Sequence, residues 1–208
     1  MSRLFLFDVD STLINEEVID LLASYAHIAD EVQKITELAM NGSIDFQDAL
    51  RKRVSLLEGL PASVLLEVSK QITLTNGASE LISNLQSNGD EVAVVSGGFT
   101  EVITPLMEKL KIKHYRANNL QIIDNKLTGL TEGPIIDRVA KGSFLLELKL
   151  MLQPTQIIAI GDGANDVEMI QLADVGIAFC AKPALKDAAD IVIDNEIYER
   201  FLNIYSVL

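Results

Sequence analysis

The sequence predicts an α/β protein: a doubly wound, mostly parallel sheet with a small helical cap inserted after the first strand. Three observations carry that prediction. Short apolar runs at 4–9, 92–96 and 157–161 each end in polar or glycine residues. Helical patterns lie between the runs. One long stretch, 16–72, breaks the rhythm and contains no good strand.

The first run is Leu4-Phe5-Leu6-Phe7, passing into Asp8-Val9-Asp10. It shows little alternation, as expected of a strand covered by helices on both faces. In 16–72, Ile28, Val32, Ile35, Leu38 and Ala39 fit one helical face, and Phe46, Ala49, Leu50, Val54 and Leu57 fit another. Pro61 suits the start of a third helix, since its fixed φ and missing N–H cost nothing there. The expected division is therefore a core of 1–13 and 75–208 and a helical cap of 14–74. A helix over 77–88 buries Leu81, Ile82 and Leu85, and the strand at 92–96 runs into Ser96-Gly97-Gly98 and a helix from about Thr100. Residues 120–130 resemble a hairpin turning at Asp124-Asn125. Lys141-Gly142 precedes a helix over 144–152. The strand at 157–161 ends in Gly161-Asp162-Gly163, and the runs 175–179 and 191–193 add further strands. Strands alternating with helices define the doubly wound class.

The chain has 208 residues with 17 Lys and Arg, 30 Asp and Glu, and a net charge of −13. That acidity argues against non-specific nucleic-acid binding, which needs a basic footprint. No apolar run reaches the roughly 18 residues of a membrane helix. The first residues lack the pattern of a signal peptide. The single Cys180 forms no internal disulfide, so a reducing, cytoplasmic setting is expected. Cys180, His27 and His114 are read as structural. The expected partner is a small molecule, with neither nucleic acid nor membrane; the sequence is silent on oligomeric state.

In an open α/β sheet, ligands bind beyond the carboxyl ends of the strands. Three such ends carry Asp8 and Asp10, Ser96, and Asp162. On an extended segment Asp8 and Asp10 face the same side, so they are expected side by side. Adjacent carboxylates need a cation, or one must hold a proton. Oxygen donors without Cys or His favour Mg²⁺ over zinc. Ser96, the glycines after it, a helix N-terminus and Lys141 supply the opposite polarity for an anion. Together they form a phosphoryl cradle with a carboxylate that can act as nucleophile.

Asp8-Val9-Asp10-Ser11-Thr12, Ser96-Gly97-Gly98, Lys141-Gly142 and Gly161-Asp162-Gly163-Ala164-Asn165-Asp166 stand in the order of the four motifs of the haloacid dehalogenase (HAD) superfamily. The chain resembles that superfamily, which implies an HAD-like, Rossmann-type core. Val94-Val95-Ser96-Gly97-Gly98-Phe99, Leu50-Arg51-Lys52-Arg53-Val54 and Phe179-Cys180-Ala181-Lys182-Pro183 resemble its branch that hydrolyses O-phospho-L-serine to L-serine and phosphate. The resemblance implies Mg²⁺ dependence and an aspartyl-phosphate intermediate, with a place in serine biosynthesis. Position by position, it makes Asp8 the nucleophile and Asp10 the general acid and base. It gives Mg²⁺ to Asp8, the Asp10 carbonyl and Asp162, with Asp166 in support. It gives the phosphoryl group to Ser96, Gly97 and Lys141, with Asn165 near it. In the cap it matches Glu17 to the substrate ammonium and Arg53 to its carboxylate, with Met40 and Phe46 closing over both.

Arg53 also has support from spacing alone. It is seven residues from Phe46, on a face shared with Leu50, Val54 and Leu57. An arginine on an apolar stripe needs a partner or a route to water. Snorkelling to solvent serves Arg53 equally well, and Glu17 serves as a first-turn helix acid. The alternatives to phosphoserine hydrolysis are another small phosphorylated alcohol, transfer to an acceptor alcohol, or a receiver-like signalling module phosphorylated on Asp. Against the last, the strand at 92–96 ends in Ser96 rather than Asp, and a receiver has no such helical insert.

Overall fold

The structure is a computed structural model that describes residues 2–40 and 43–194. Among the described residues, seven strands form one sheet: β1 (Leu4–Phe7), β2 (Glu91–Phe99), β3 (His114–Ile123), β4 (Lys126–Glu132), β5 (Ile157–Gly161), β6 (Val175–Phe179) and β7 (Ile191–Ile193). Their order is β4-β3-β2-β1-β5-β6-β7. All neighbours are parallel except β3 and β4, which form an antiparallel hairpin. The expected α/β class and hairpin are thus present. The hairpin is longer than its sequence signal, because the first half of β3 also extends the parallel sheet through Ala93–His114 and Val95–Arg116 pairing.

The central strands divide two cores between alternate residues. Phe5, Phe7, Val92, Val94, Ile158 and Ile160 pack on one face, with Leu81 and Leu85 of α5 (Ala78–Ser87) and Val102 and Met107 of α6 (Thr100–Lys109). Leu4, Leu6, Ala93, Val95, Ile157 and Ala159 pack on the other. There they meet Phe144, Leu145 and Leu148 of α7 (Arg138–Leu152) and Met169 and Ile170 of α8 (Val167–Leu172). Burial on both faces explains why these strands read as unbroken apolar runs. A four-residue helix, Pro183–Lys186, follows β6 on that second side and buries Leu185.

Between β1 and α5 the chain builds four helices: α1 (Val18–Tyr25), α2 (Ala29–Met40), α3 (Phe46–Ser55) and α4 (Ser63–Gln71). Three were expected. The additional one, α1, buries Val18, Ile19, Leu22 and Ala23, a stripe at helical spacing hidden beside the Asp8–Thr12 motif. The segments entering and leaving the insert pair with each other: Asn15 N donates to Thr73 O (3.0 Å) and Thr75 N to Leu13 O (3.0 Å). The insert is also tied to the hairpin by Gly59 N to Leu127 O (2.8 Å) and Ala62 N to Asn125 O (2.9 Å).

Candidate active site

Beyond β1 the chain does not continue as a strand. Residues Val9–Leu13 form a wide turn closed by Ile14 N to Val9 O (3.0 Å). Ser11 takes the left-handed conformation, φ +56°, which is costly for a residue with a Cβ. Its hydroxyl donates to Glu17 Oε1 (2.7 Å). The turn gives Asp8 and Asp10, expected side by side, different hydrogen-bond partners. Asp8 faces Lys141, whose Nζ donates to Asp8 Oδ1 (2.6 Å) and to Asp166 Oδ1 (2.6 Å). Asp10 turns towards the insert and accepts from Val18 N through Oδ2 (3.2 Å). Its other oxygen, Oδ1, is buried with no partner among the described residues.

Lys141 lies inside α7 rather than ahead of it, because Asp137 caps the helix at Ala140 N (2.9 Å). It is fully buried, at 0% exposure, which only its two carboxylate partners make tolerable. Burial would lower its pKa, but Asp166 and Asp8 outweigh burial and hold it above the ordinary lysine value. The same carboxylates explain the acids. Burial first, then Asp166 and Asp162, raise Asp8 against the pull of Lys141. Burial and Asp166 push Asp162 up to about 7. Burial and Glu17 push Asp10 up to about 8.

Asp8, Asp162 and Asp166 bring ligand oxygens within 4.8 Å of one another. Asp166 is already spent. Besides Lys141 it accepts from Asp162 N (3.2 Å) and Gly163 N (3.0 Å) through Oδ2, and a Cβ on Gly161 would collide with that carboxylate. Asp8 and Asp162 therefore fit direct ligation of a hard divalent cation, and Asp166 fits the orienting role. Both ligand carboxylates hold protons more tightly here than in an unfolded chain, so in chelator folding stability falls as pH rises from about 5 towards about 8. Mg²⁺ held by these carboxylates would offset that repulsion. At roughly a hundredfold excess over its Kd it should raise Tm by about 5–10 °C, and more at the higher pH. Thermal melts in chelator and in Mg²⁺ at both pH values check this.

Across the sheet, Ser96, Gly97 and Gly98 occupy the break in β2–β3 register between Val95 and Phe99. Gly98 N donates to Ser96 Oγ (2.8 Å). Asn118, which sequence reading passed over, clamps this loop. Its amide donates to Gly97 O (2.8 Å) and Gly98 O (3.2 Å), and its oxygen accepts from Ile136 N (2.8 Å). A buried Asn in a strand was the available signal. Asn165 lies beside the same loop: its Nδ2 is 3.6 Å from the place a Gly97 Cβ would occupy.

The insert roofs this ground. Phe46 Cζ lies 3.2 Å from that Gly97 position. Arg53 is half-buried, and its hydrogen bonds go to neutral oxygens, Ala49 O (3.3 Å) and Thr36 Oγ1 (3.4 Å). Burial lowers its pKa while Asp20, Glu17 and Asp10 oppose the shift. No carboxylate among the described residues is in ion-pair contact with it. Met40 ends α2, and its side chain lies outside the described residues.

A buried lysine between two acids, a carboxylate cluster and a clamped Ser-Gly-Gly loop meet at the ends of β1, β2 and β5. Residues 5–171 match the haloacid dehalogenase-like hydrolase family, and the chain belongs to it. Phosphoserine phosphatases of Lactococcus lactis and Methanocaldococcus jannaschii are 48% and 46% identical to it. These alignments cover 92% and 93% of this chain and 90% and 92% of the relatives. A solved substrate-bound phosphoserine phosphatase complex superposes with a TM-score of 0.91 at 44% identity, covering 98% of both chains. A phospho-aspartyl intermediate analogue of phosphoserine phosphatase gives 0.90 at 44% identity, again with 98% of both chains. The chain is accordingly a hydrolase of the phosphatase type, and its kin within the family are the phosphoserine phosphatases. No helix among the described residues is long and apolar enough to cross a membrane.

Proposed function

We propose that the protein is a Mg²⁺-dependent phosphatase that hydrolyses O-phospho-L-serine to L-serine and phosphate in the cytoplasm, as a step of serine biosynthesis. The observation that carries this reading is the division of labour between the two acids of the first motif. Asp8 is set against Lys141 and the carboxylate cluster, while Asp10 is turned to the roof and raised to about 8. A nucleophile needs the first environment and an acid needs the second.

In this reading Asp8 attacks phosphorus through a carboxylate oxygen, and the bond from phosphorus to the serine oxygen breaks. Asp10 gives its proton to that oxygen, so serine leaves neutral. Water then attacks the aspartyl phosphate, Asp10 takes the water's proton, and the bond from phosphorus to Asp8 breaks to release phosphate. Ser96, Gly97 and Lys141 hold the phosphoryl oxygens, and Asn165 lies beside them. Asp8, Asp162 and the Asp10 carbonyl would hold the cation, which would supply charge neutralisation to the phosphoryl oxygens. The unit 14–74 acts as cap: Glu17 takes the substrate ammonium, Arg53 its carboxylate, and Met40 and Phe46 close the pocket.

The test is phosphate release from a panel of phosphomonoesters, with and without chelator, in wild type and Arg53→Ala. Removing one partner of a buried charge pair costs roughly 2–5 kcal/mol, or about 30-fold to several thousand-fold in kcat/KM. Arg53→Ala should show that loss on phosphoserine and far less on phosphoethanolamine, which lacks the carboxylate. Equal losses on both substrates, with the fold intact, would remove Arg53 from the substrate site. Preference for another phosphomonoester would overturn the substrate assignment.

A further inference from the structure

We propose that Gln47 and Asp137 form a latch that holds the amino-terminal end of α3 over the active site, which makes both positioning residues. The inference rests on the hydrolase reading above and adds a device to it. Gln47 Nε2 donates to Asp137 Oδ2 (2.6 Å), joining the insert to a core helix ninety positions away in sequence. Each end of this bond leads to the chemistry. Gln47 follows Phe46, the residue that lies on Gly97. Asp137 caps α7, which carries Lys141 one turn later: Asp137 Oδ1 accepts from Ala140 N (2.9 Å) and Asp137 O from Lys141 N (2.9 Å). The Gln47 amide is oriented for its task, because Arg51 Nη2 donates to Gln47 Oε1 (2.8 Å) and leaves the NH₂ for Asp137. Gln47 and Ala140 both help hold the Asp137 carboxyl below its ordinary range, against burial.

The mechanical argument follows from how α3 is tethered. Just beyond its carboxyl-terminal end, backbone bonds fasten the chain to the hairpin: Gly59 N to Leu127 O (2.8 Å) and Leu127 N to Leu60 O (2.9 Å). Its amino-terminal end, where Phe46 sits, is fastened to α7 through Gln47. The site beneath is sealed, with Ser96 and Lys141 at 0% exposure and Asp8 at 3%. A phosphorylated substrate reaches these groups, and phosphate leaves them, only if α3 parts from the Gly97 loop. The hairpin end is then the hinge, and the Gln47–Asp137 bond is what breaks and reforms at each turnover. Both residues are half-buried, so the bond biases closure without locking it.

The experiment compares Gln47→Glu, Asp137→Asn and the two combined. Gln47→Glu sets carboxylate against carboxylate, and should raise KM for phosphoserine about tenfold while kcat holds or rises. A small aryl phosphate, which makes no contact with the cap charges, should change less than about twofold. Asp137→Asn keeps a side-chain oxygen for Ala140 N, because asparagine caps helices as well as aspartate does. In the combined variant the introduced asparagine amide donates to the introduced carboxylate, so KM should return to within about threefold of wild type. Hydrogen exchange of the α3 amides without substrate should follow the same order: faster in Gln47→Glu, restored in the pair. A structural role alone would not produce that reversal. Unchanged KM and exchange in Gln47→Glu, or losses that simply add in the pair, would overturn the latch. If wild type fails to hydrolyse phosphoserine, the substrate reading falls and the exchange measurement still decides the latch.

Discussion

Asp8→Asn should abolish turnover, with a loss of at least about 10⁴-fold, as when the nucleophile of a covalent mechanism is removed. The asparagine amide keeps the shape of the side chain but lacks the anionic carboxylate oxygen that attacks phosphorus in this reading. It also removes one of three clustered, mutually repelling acids and leaves Lys141 paired with Asp166, so the protein should still fold. Asp10→Asn should behave differently. The nucleophile and Lys141 remain, and what is lost is the proton that Asp10 carries at neutral pH, with its pKa pushed up to about 8. General acid–base groups contribute typically about 10²–10⁴-fold. The loss should shrink for aryl phosphates, whose leaving groups need less protonation. Steady-state rates of both variants on phosphoserine and on an aryl phosphate check the pair. Comparable losses on both esters in Asp10→Asn would place the acid elsewhere.

Lys141→Met should cost more stability than any other single substitution in the site. Lys141 is buried between Asp8 and Asp166, at 2.6 Å from each. Methionine fills the same volume and leaves two buried carboxylates facing each other with Asp162 close by. Removing one partner of a buried ion pair costs about 3–5 kcal/mol, which for a chain of this size lowers Tm by about 6–20 °C. Activity should vanish with it, because in the proposed mechanism Lys141 holds the phosphoryl group. Lower pH should restore part of the stability, since protonating either acid relieves the repulsion. Melting curves from about pH 5 to about pH 8 measure this directly. A Tm within a degree or two of wild type would mean that the pair contributes little.

These expectations also show where the sequence was a good guide. Strand ends at Asp8 and Asp162 were legible because doubly covered strands are uniformly apolar, and the polar residues that stop them stand at the sheet's ligand-binding edge; Ser96, expected to end its strand, lies inside β2, which runs on to Phe99. What was not legible depends on chain reversals and on contacts through space. Alternation placed Asp8 beside Asp10, yet the chain leaves the extended conformation at Val9, where the turn closed by Ile14 N to Val9 O begins, and Ser11 within that turn takes the left-handed conformation at φ +56°. Nothing in a sequence pattern marks a serine for that conformation, which glycine usually takes. Lys141 read as a residue ahead of a helix; its burial is imposed by Asp166 and Asp8, distant in sequence. Asp166 read as an accessory, and its two amide bonds and ion pair explain that role physically. Asn118 and Gln47 carry no motif at all, and they matter because of which backbone groups and which carboxylate the fold places opposite them.

The most direct test of the account is rapid acid quench of wild type with phosphoserine labelled in its phosphoryl group, followed by mapping of the label. In Mg²⁺, label should appear on the peptide containing Asp8 before free phosphate accumulates, and it should decay at a rate no slower than turnover. It should be absent in chelator and absent in Asp8→Asn. Phosphate released at the full rate with no labelled Asp8, or label of wild-type amount in Asp8→Asn, would contradict the account.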